Sequence, residues 1–170
     1  SDVDTTPLTR YIAAGVLAHH LGREQVNIVS AFHHAKSRGV DIVTQKSTTA
    51  KGFTNLITVA LKTKNDRVSA SGTLLNGYGA PIVQINAYPV DLPPSGHLLL
   101  IKHIDKPGII GRVGTLLGSN DVNIATMQVG RTDIGGPAIM VLTIDKPLPK
   151  HIIPELLKMP DLANAKEINL

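Results

Sequence analysis

The sequence predicts an α+β chain built of two small domains. Three observations carry this. A paired-proline stretch, "VDLPPSG" at residues 90–96, interrupts the 170-residue chain past its middle. Two prolines in a row fix the backbone and remove two donors, so neither a helix nor a central strand runs through them. Before the prolines, helical spacing gives way to alternating strands. After them, strand and helix patterns take turns.

The first element is "TTPLTRYIAAGVLAHHLG". Thr5 or Thr6 can cap it, Pro7 sits at the first helical position, and Leu8, Ile12, Val16 and Leu17 recur at helical spacing. Gly22 stops it. "NIVSAFHHAKSRG" repeats the pattern and stops at Gly39. Four strands follow: "VDIVTQK", "FTNLITVALKT", "RVSASGTLL" and "PIVQINAY". They alternate and are rich in Val, Ile and Thr. "KND" and "NGYGA" are the turns. This first domain, residues 1–92, is two helices and then antiparallel strands.

The second domain, residues 97–170, opens with the strand "HLLLIKHI". A helix, "KPGIIGRVGTLLGSN", is entered through Pro107. The strand "DVNIATMQVGR", the turn "DIGGP" and the strand "AIMVLTID" come next. The helix "LPKHIIPELLKM" and the strand "LANAKEINL" close the chain. Strand–helix–strand repeated twice is the split βαβ, ferredoxin-like arrangement, βαββαβ. A domain of this size buries little surface alone, so it should lean on a partner.

Charge and composition exclude several functions. Residues 1–95 hold nine basic and six acidic residues, and residues 96–170 hold eight and seven, for a net charge of +4. Neither half is a phosphate-binding patch, and 3% aromatics cannot supply a base-stacking platform, so no nucleic acid is expected. No apolar run approaches a membrane span. The opening "SDVDTTPLTR" is polar and unlike a signal peptide. With no cysteine, disulfides and thiolate metal sites are excluded, and a cytoplasmic setting is expected. His19-His20 and His33-His34 are paired, but adjacent helical residues point about 100° apart. No acid completes a ligand set, so no metal is expected.

Gly108, Gly111, Gly114 and Gly118 are spaced three, three and four apart. Dinucleotide and phosphate loops need other intervals. The glycines lie on one flank of a helix, where each costs roughly 1 kcal/mol against Ala. Either another element or a ligand comes close to that flank, or it packs tightly on its own sheet. His103 and Asp105, two apart at a strand end, share a face. The amides of Gly108, Ile109 and Ile110 open the helix and can receive a carboxylate. Asp105 can accept from an ammonium, and Asn123 in the next strand offers donor and acceptor. The set suits a free amino acid; the plainer alternative is that Asp105 caps the helix.

"LLLIKHIDKPGIIGRVGTLLGSNDVNIATMQVGR" closely resembles an ACT domain, and in particular the one in the D-3-phosphoglycerate dehydrogenase family. "TTPLTRYIAAGVL", "SRGVDIV", "NLITVALKT", "SGTLLNG" and "IVQINAYPVDL" resemble that family's intervening, or allosteric substrate-binding, domain. Members usually carry a further strand before the "TTPLTR" helix, so residues 1–92 are expected to lack the first strand. The resemblance implies an enzyme that oxidises D-3-phosphoglycerate with NAD at the start of L-serine synthesis. It implies L-serine as feedback effector between two ACT domains, with His103 and Asp105 from one subunit and Asn123 from the other. Backbone near Gly108, Ile109 and Ile110 would hold the carboxylate. Partners are then L-serine and further copies of the chain, as a dimer or a tetramer.

Neither a dinucleotide fingerprint nor a catalytic set is visible in these residues, so the chain itself should bind no cofactor and catalyse nothing. NAD belongs to the catalytic half of the family. Some relatives carry basic residues for a phosphorylated ligand in the intervening domain; here only Lys46, Lys51, Arg67 and Arg131 could serve. Two alternatives stand beside the serine sensor: an ACT pair that only assembles the oligomer, and an ACT sensor of another small amino acid.

Overall fold

The computed structural model describes residues 4–47 and 52–170. These divide into two compact units, one within residues 1–50 and one within residues 51–170.

The first unit is a helix pair, α1 (Thr6–Leu21) and α2 (Ala31–Ser37). Pro7 lies in the first turn of α1. The expected side-chain cap from Thr5 or Thr6 does not form; Asp4 does that work, its Oδ1 accepting the Thr6 amide at 2.9 Å. Hydrogen bonding from the Thr6 side chain, and next from its amide, holds the Asp4 carboxyl below its ordinary value. Asn27 sets up α2 by accepting the amides of Val29 and Ser30, both at 2.9 Å. Ala13, Leu17, Val26, Ala31 and Ala35 form the small core. Leu8, expected on the buried stripe, is exposed, while Ile12 and Val16 are half-buried. The buried contacts of α1 with α2 gather around Ala13 and Leu17, past Leu8 in the chain. "VDIVTQK", read as a strand, is not one. Its alternation is real, but no strand among the described residues pairs with it, and a strand exists only through a ladder.

The second unit contains two antiparallel sheets. In the first, β1 (Ile57–Lys62), β2 (Arg67–Gly72), β3 (Ile82–Ile85) and β4 (Tyr88–Leu92) run in chain order. Thr63 closes the β1–β2 turn, its Oγ1 accepting the Asp66 amide at 3.0 Å. The single strand that "PIVQINAY" predicts is a hairpin instead. Asn86, at φ +53°, turns the chain so that Ile85 pairs with Tyr88. Asn tolerates that left-handed backbone better than most residues. Pro89 is accommodated because β4 is the sheet's edge.

After Pro93 and Pro94 comes the second sheet, with β5 (His97–Ile104), β6 (Ile124–Arg131), β7 (Pro137–Ile144) and β8 (Leu162–Asn169) in the order β6-β7-β5-β8. Helices α3 (Ile109–Gly118) and α4 (Ile152–Leu156) connect them, giving the ferredoxin-like βαββαβ order. Leu99, Ile101, Met140 and Leu142 face the helices and meet Ile109, Val113, Leu117, Ile152 and Leu156. Burying a side chain of this kind contributes about 1.5–3 kcal/mol. The opposite face is not left to water. Ile139 and Val141 pack on Val90 and Leu92 of β4, with Leu100 and Tyr88 at the margin. Gln128 of β6 accepts the Asp91 amide at 2.7 Å and donates to the Asp91 carbonyl.

Candidate functional site

β5 delivers His103 and Asp105 to one end of the second sheet. His103 lies opposite Ala138 of β7, and Ala138 lies opposite Arg131 of β6. These three levels share that end. Ile124, by contrast, is level with Ile144 and His97 at the other end. Asn123 therefore stands roughly 25 Å from Asp105 within one chain, about eight residues at the strand rise.

His103 is on the helix-facing side and only 2% exposed. Its Nδ1 lies 2.9 Å from the carbonyl of Ile104. A carbonyl can only accept, so Nδ1 carries a proton, and in the neutral ring Nε2 is an acceptor. That Nε2 is buried and has no partner. Asp105 is half-buried and does not cap α3, which has no side-chain cap at all. Its Oδ2 accepts from Nη1 of Arg131 at 2.6 Å, a reach from the end of β5 to the end of β6. The hydrogen bond from the Arg131 guanidinium is the main reason the Asp105 carboxyl sits below its ordinary value, with smaller help from the Gly135 amide and from the charge of Arg131; burial works the other way. Asn123 is exposed and donates to Asp145 Oδ2 at 2.7 Å.

Between β5 and α3 the helix starts two residues later than Pro107 suggests. Gly108 is the N-cap, at φ +87°. A left-handed residue here redirects the chain, which is why Pro107 stays outside the helix. The carbonyl of Gly108 accepts the Arg112 amide at 3.0 Å. Ile109 is 2% exposed, and its amide is taken by the Lys106 carbonyl at 3.4 Å, so it serves the core. Ile110 is half exposed.

Comparison with known proteins fits this architecture. Residues 1–86 match the D-3-phosphoglycerate dehydrogenase intervening domain family, which is half of the chain. The chain belongs to that family. Residues 97–161, from β5 to the end of the α4 turn, match the ACT domain. A D-3-phosphoglycerate dehydrogenase of Bacillus subtilis is 39% identical over 99% of this chain and 32% of its own length. One from Synechocystis is 36% identical over 98% of this chain and 30% of its own length. A probable L-serine dehydratase beta chain of Bacillus subtilis is 26% identical over 83% of this chain and 64% of its own length. The chain thus spans about a third of the length of the dehydrogenase relatives it matches.

Within the ACT part, an added Cβ at Gly111, Gly114 or Gly118 would meet nothing within 4 Å. Packing against the chain's own sheet does not account for that flank. A tight glycine does exist elsewhere, at Gly130 on β6, where an added Cβ would sit 2.8 Å from the Pro89 carbonyl.

The expected anion residues are scattered. Lys46 lies in the first unit and contributes weakly to the low pKa of Asp4. Lys51 lies outside the described residues. Arg67 opens β2 and is exposed, while Arg131 is engaged by Asp105. The paired histidines have their rings edge-on, at 5.1 Å and 6.0 Å. Among the described residues no three His, Asp or Glu side chains gather as a metal site, and no helix is long and apolar enough to cross a membrane. Sequence reasoning overlooked Arg112, whose Nη1 lies 3.9 Å from where a Cβ on Gly108 would be. The i, i+4 spacing of Gly108 and Arg112 was the available signal, since helical side chains lean toward the N-terminus.

Proposed function

We propose that this chain is the regulatory and assembly part of a D-3-phosphoglycerate dehydrogenase. Two copies join through the outer edge of β6 and hold L-serine between them. His103 and Asp105 come from one copy and Asn123 from the other. The chemistry of the parent enzyme, NAD-dependent oxidation of D-3-phosphoglycerate in the cytoplasm, belongs to domains other than these.

The observation that carries this reading is the separation of the site residues along one sheet whose edge strand is β6. Antiparallel pairing of β6 with β6 of a second copy sets the start of one strand beside the end of the other. Asn123 of the second copy then arrives at the His103–Asp105 end, three strand spacings from β5, or about 14 Å. Pairing through β8 would leave it five spacings away, about 24 Å. The Asp105–Arg131 ion pair already spans β5 to β6. An amino acid bridging the remaining gap meets Asp105 for its ammonium. The Nε2 acceptor of His103 suits a hydroxyl, which favours serine over alanine.

The L-serine dehydratase beta chain supports the sensor role. It is named for a different reaction from the dehydrogenases, yet aligns with most of this chain. A segment common to two chemistries fits a role other than catalysis, and L-serine appears in that relative's name. Binding energy that differs between two interface geometries is what lets such a ligand regulate.

Titration calorimetry with L-serine, glycine, L-alanine and D-serine tests the reading. Saturable heat with L-serine, lost in Asn123→Ala and Asp105→Ala, is the expected result. A folded dimer that binds none of them would instead be an assembly module, and binding of another amino acid would reassign the effector.

A further inference from the structure

We propose that Arg112 is the carboxylate-binding residue of the effector pocket, with the side-on edge of its guanidinium as the receiving group. The proposal rests on the amino-acid reading above and adds to it a residue that neither the motif nor the expected site contains.

Three buried side-chain nitrogens among the described residues have no hydrogen-bond partner: Nε2 of His103 and Nε and Nη2 of Arg112. All three belong to the two residues that flank the β5–α3 turn. The pair on Arg112 is chemically specific. Nε and Nη2 form the edge of the guanidinium whose N–H bonds run parallel, at the spacing of the two oxygens of a carboxylate. An arginine that keeps this edge out of water without an acceptor is far from the state its charge prefers. Solvent does not compensate, because both nitrogens are covered.

No acid among the described residues reaches this edge of Arg112. Asp105 is held by Arg131 at 2.6 Å, and Asp161, just before β8, is held by Lys106 at 2.6 Å. The acceptor for Arg112 is therefore a carboxylate brought from outside. The position fits: Nη1 approaches the α3 N-cap, beside the turn that carries His103 and Asp105. The pocket then has two ends. Asp105 receives the ammonium, and the Arg112 fork receives the carboxylate. This is the charge arrangement of an α-amino acid, and an amine or an amide lacking the carboxylate meets only half of it. The guanidinium has to turn its covered edge toward the ligand, which a long side chain on the first turns of a helix can do.

The test is calorimetry of the 170-residue chain with L-serine and with L-serinamide, in which the carboxylate is a neutral amide. The unsubstituted chain should prefer L-serine by about tenfold or more, the range expected when a charged partner is left unpaired. Arg112→Gln should bring that preference to about one. Arg112→Lys, which keeps the charge and loses the fork, should fall between, and it decides the matter if the glutamine variant does not fold by circular dichroism. A folded Arg112→Gln chain that retains the full preference, beside an Asn123→Ala chain that no longer binds, would overturn the proposal and leave the serine reading standing. No binding of L-serine by the unsubstituted chain would overturn both. Loss of self-association in Arg112→Gln without any ligand would show that a carboxylate of a second copy is the true partner, which also overturns it.

Discussion

Two glycine-bearing regions of the ACT part look alike in sequence and differ in what surrounds them. Gly130 of β6 is enclosed, its missing side chain making room for the Pro89 carbonyl and for Tyr88 of β4. Gly111, Gly114 and Gly118 of α3 face open space. The first glycine is explained by the chain that carries it. The second group is not, although glycines inside a helix are unfavourable without a compensating contact. The difference separates packing that a single copy completes from a helix flank that its own chain leaves open.

The comparison can be broken at Gly130 with the largest effect. Gly130→Ala forces a Cβ to within 2.8 Å of a backbone oxygen and 3.0 Å of the Tyr88 Cβ, neither of which can turn aside. We expect a loss of about 2–3 kcal/mol in denaturant unfolding, at the upper end for overpacking. An unchanged midpoint would mean that β4 does not press on β6. Next comes Gly108→Ala. Its φ of +87° is unfavourable for any L side chain, and we expect a loss of about 1–2 kcal/mol together with weaker amino-acid binding, because the turn carrying Asp105 shifts.

Gly114→Ala should do the opposite to the isolated chain. With nothing near the new methyl, helix propensity alone should add about 1 kcal/mol of stability. Sedimentation should at the same time show weaker self-association. If stability and association rise together, the open flank is not an interface. The smallest effect is expected from acid. The Asp105 carboxyl is held below its ordinary value by Arg131, so the folded state binds this proton less readily than the unfolded chain. The ion pair's contribution is complete above the ordinary carboxylate range and fades as pH falls through the lowered value. Both partners are partly exposed, so the contribution is small. Comparing the acid limb of unfolding with that of Asp105→Asn should show the pH dependence reduced in the variant.

Much of this was legible in the residues because it follows from period. β5 and β8 fall almost where alternation puts them, and the order of the ACT elements follows from strand and helix patterns. What escaped depends on neighbours. "VDIVTQK" alternates like a strand, but a ladder partner is not written in its own sequence. The β3–β4 hairpin hid behind Asn86, because "INAY" lacks the glycine that usually marks such a turn. The candidate site was legible as residue types and illegible as geometry. His103, Asp105 and Asn123 stood out, whereas the Asp105–Arg131 bridge and the stranded fork of Arg112 appear only when strand ends and helix turns are brought together.

The central claim, that one binding site is assembled from two copies, is best tested by mixing two inactive variants. Asp105→Ala and Asn123→Ala chains each lack half of every site. In a mixed dimer, Asn123 of the first meets Asp105 of the second, and one of the two sites is whole. After unfolding and refolding the variants together, calorimetry should recover L-serine binding at about a quarter of the sites, as random pairing of copies requires. Mixtures that stay silent, from dimers shown to have exchanged, would contradict the account and return the site to a single chain.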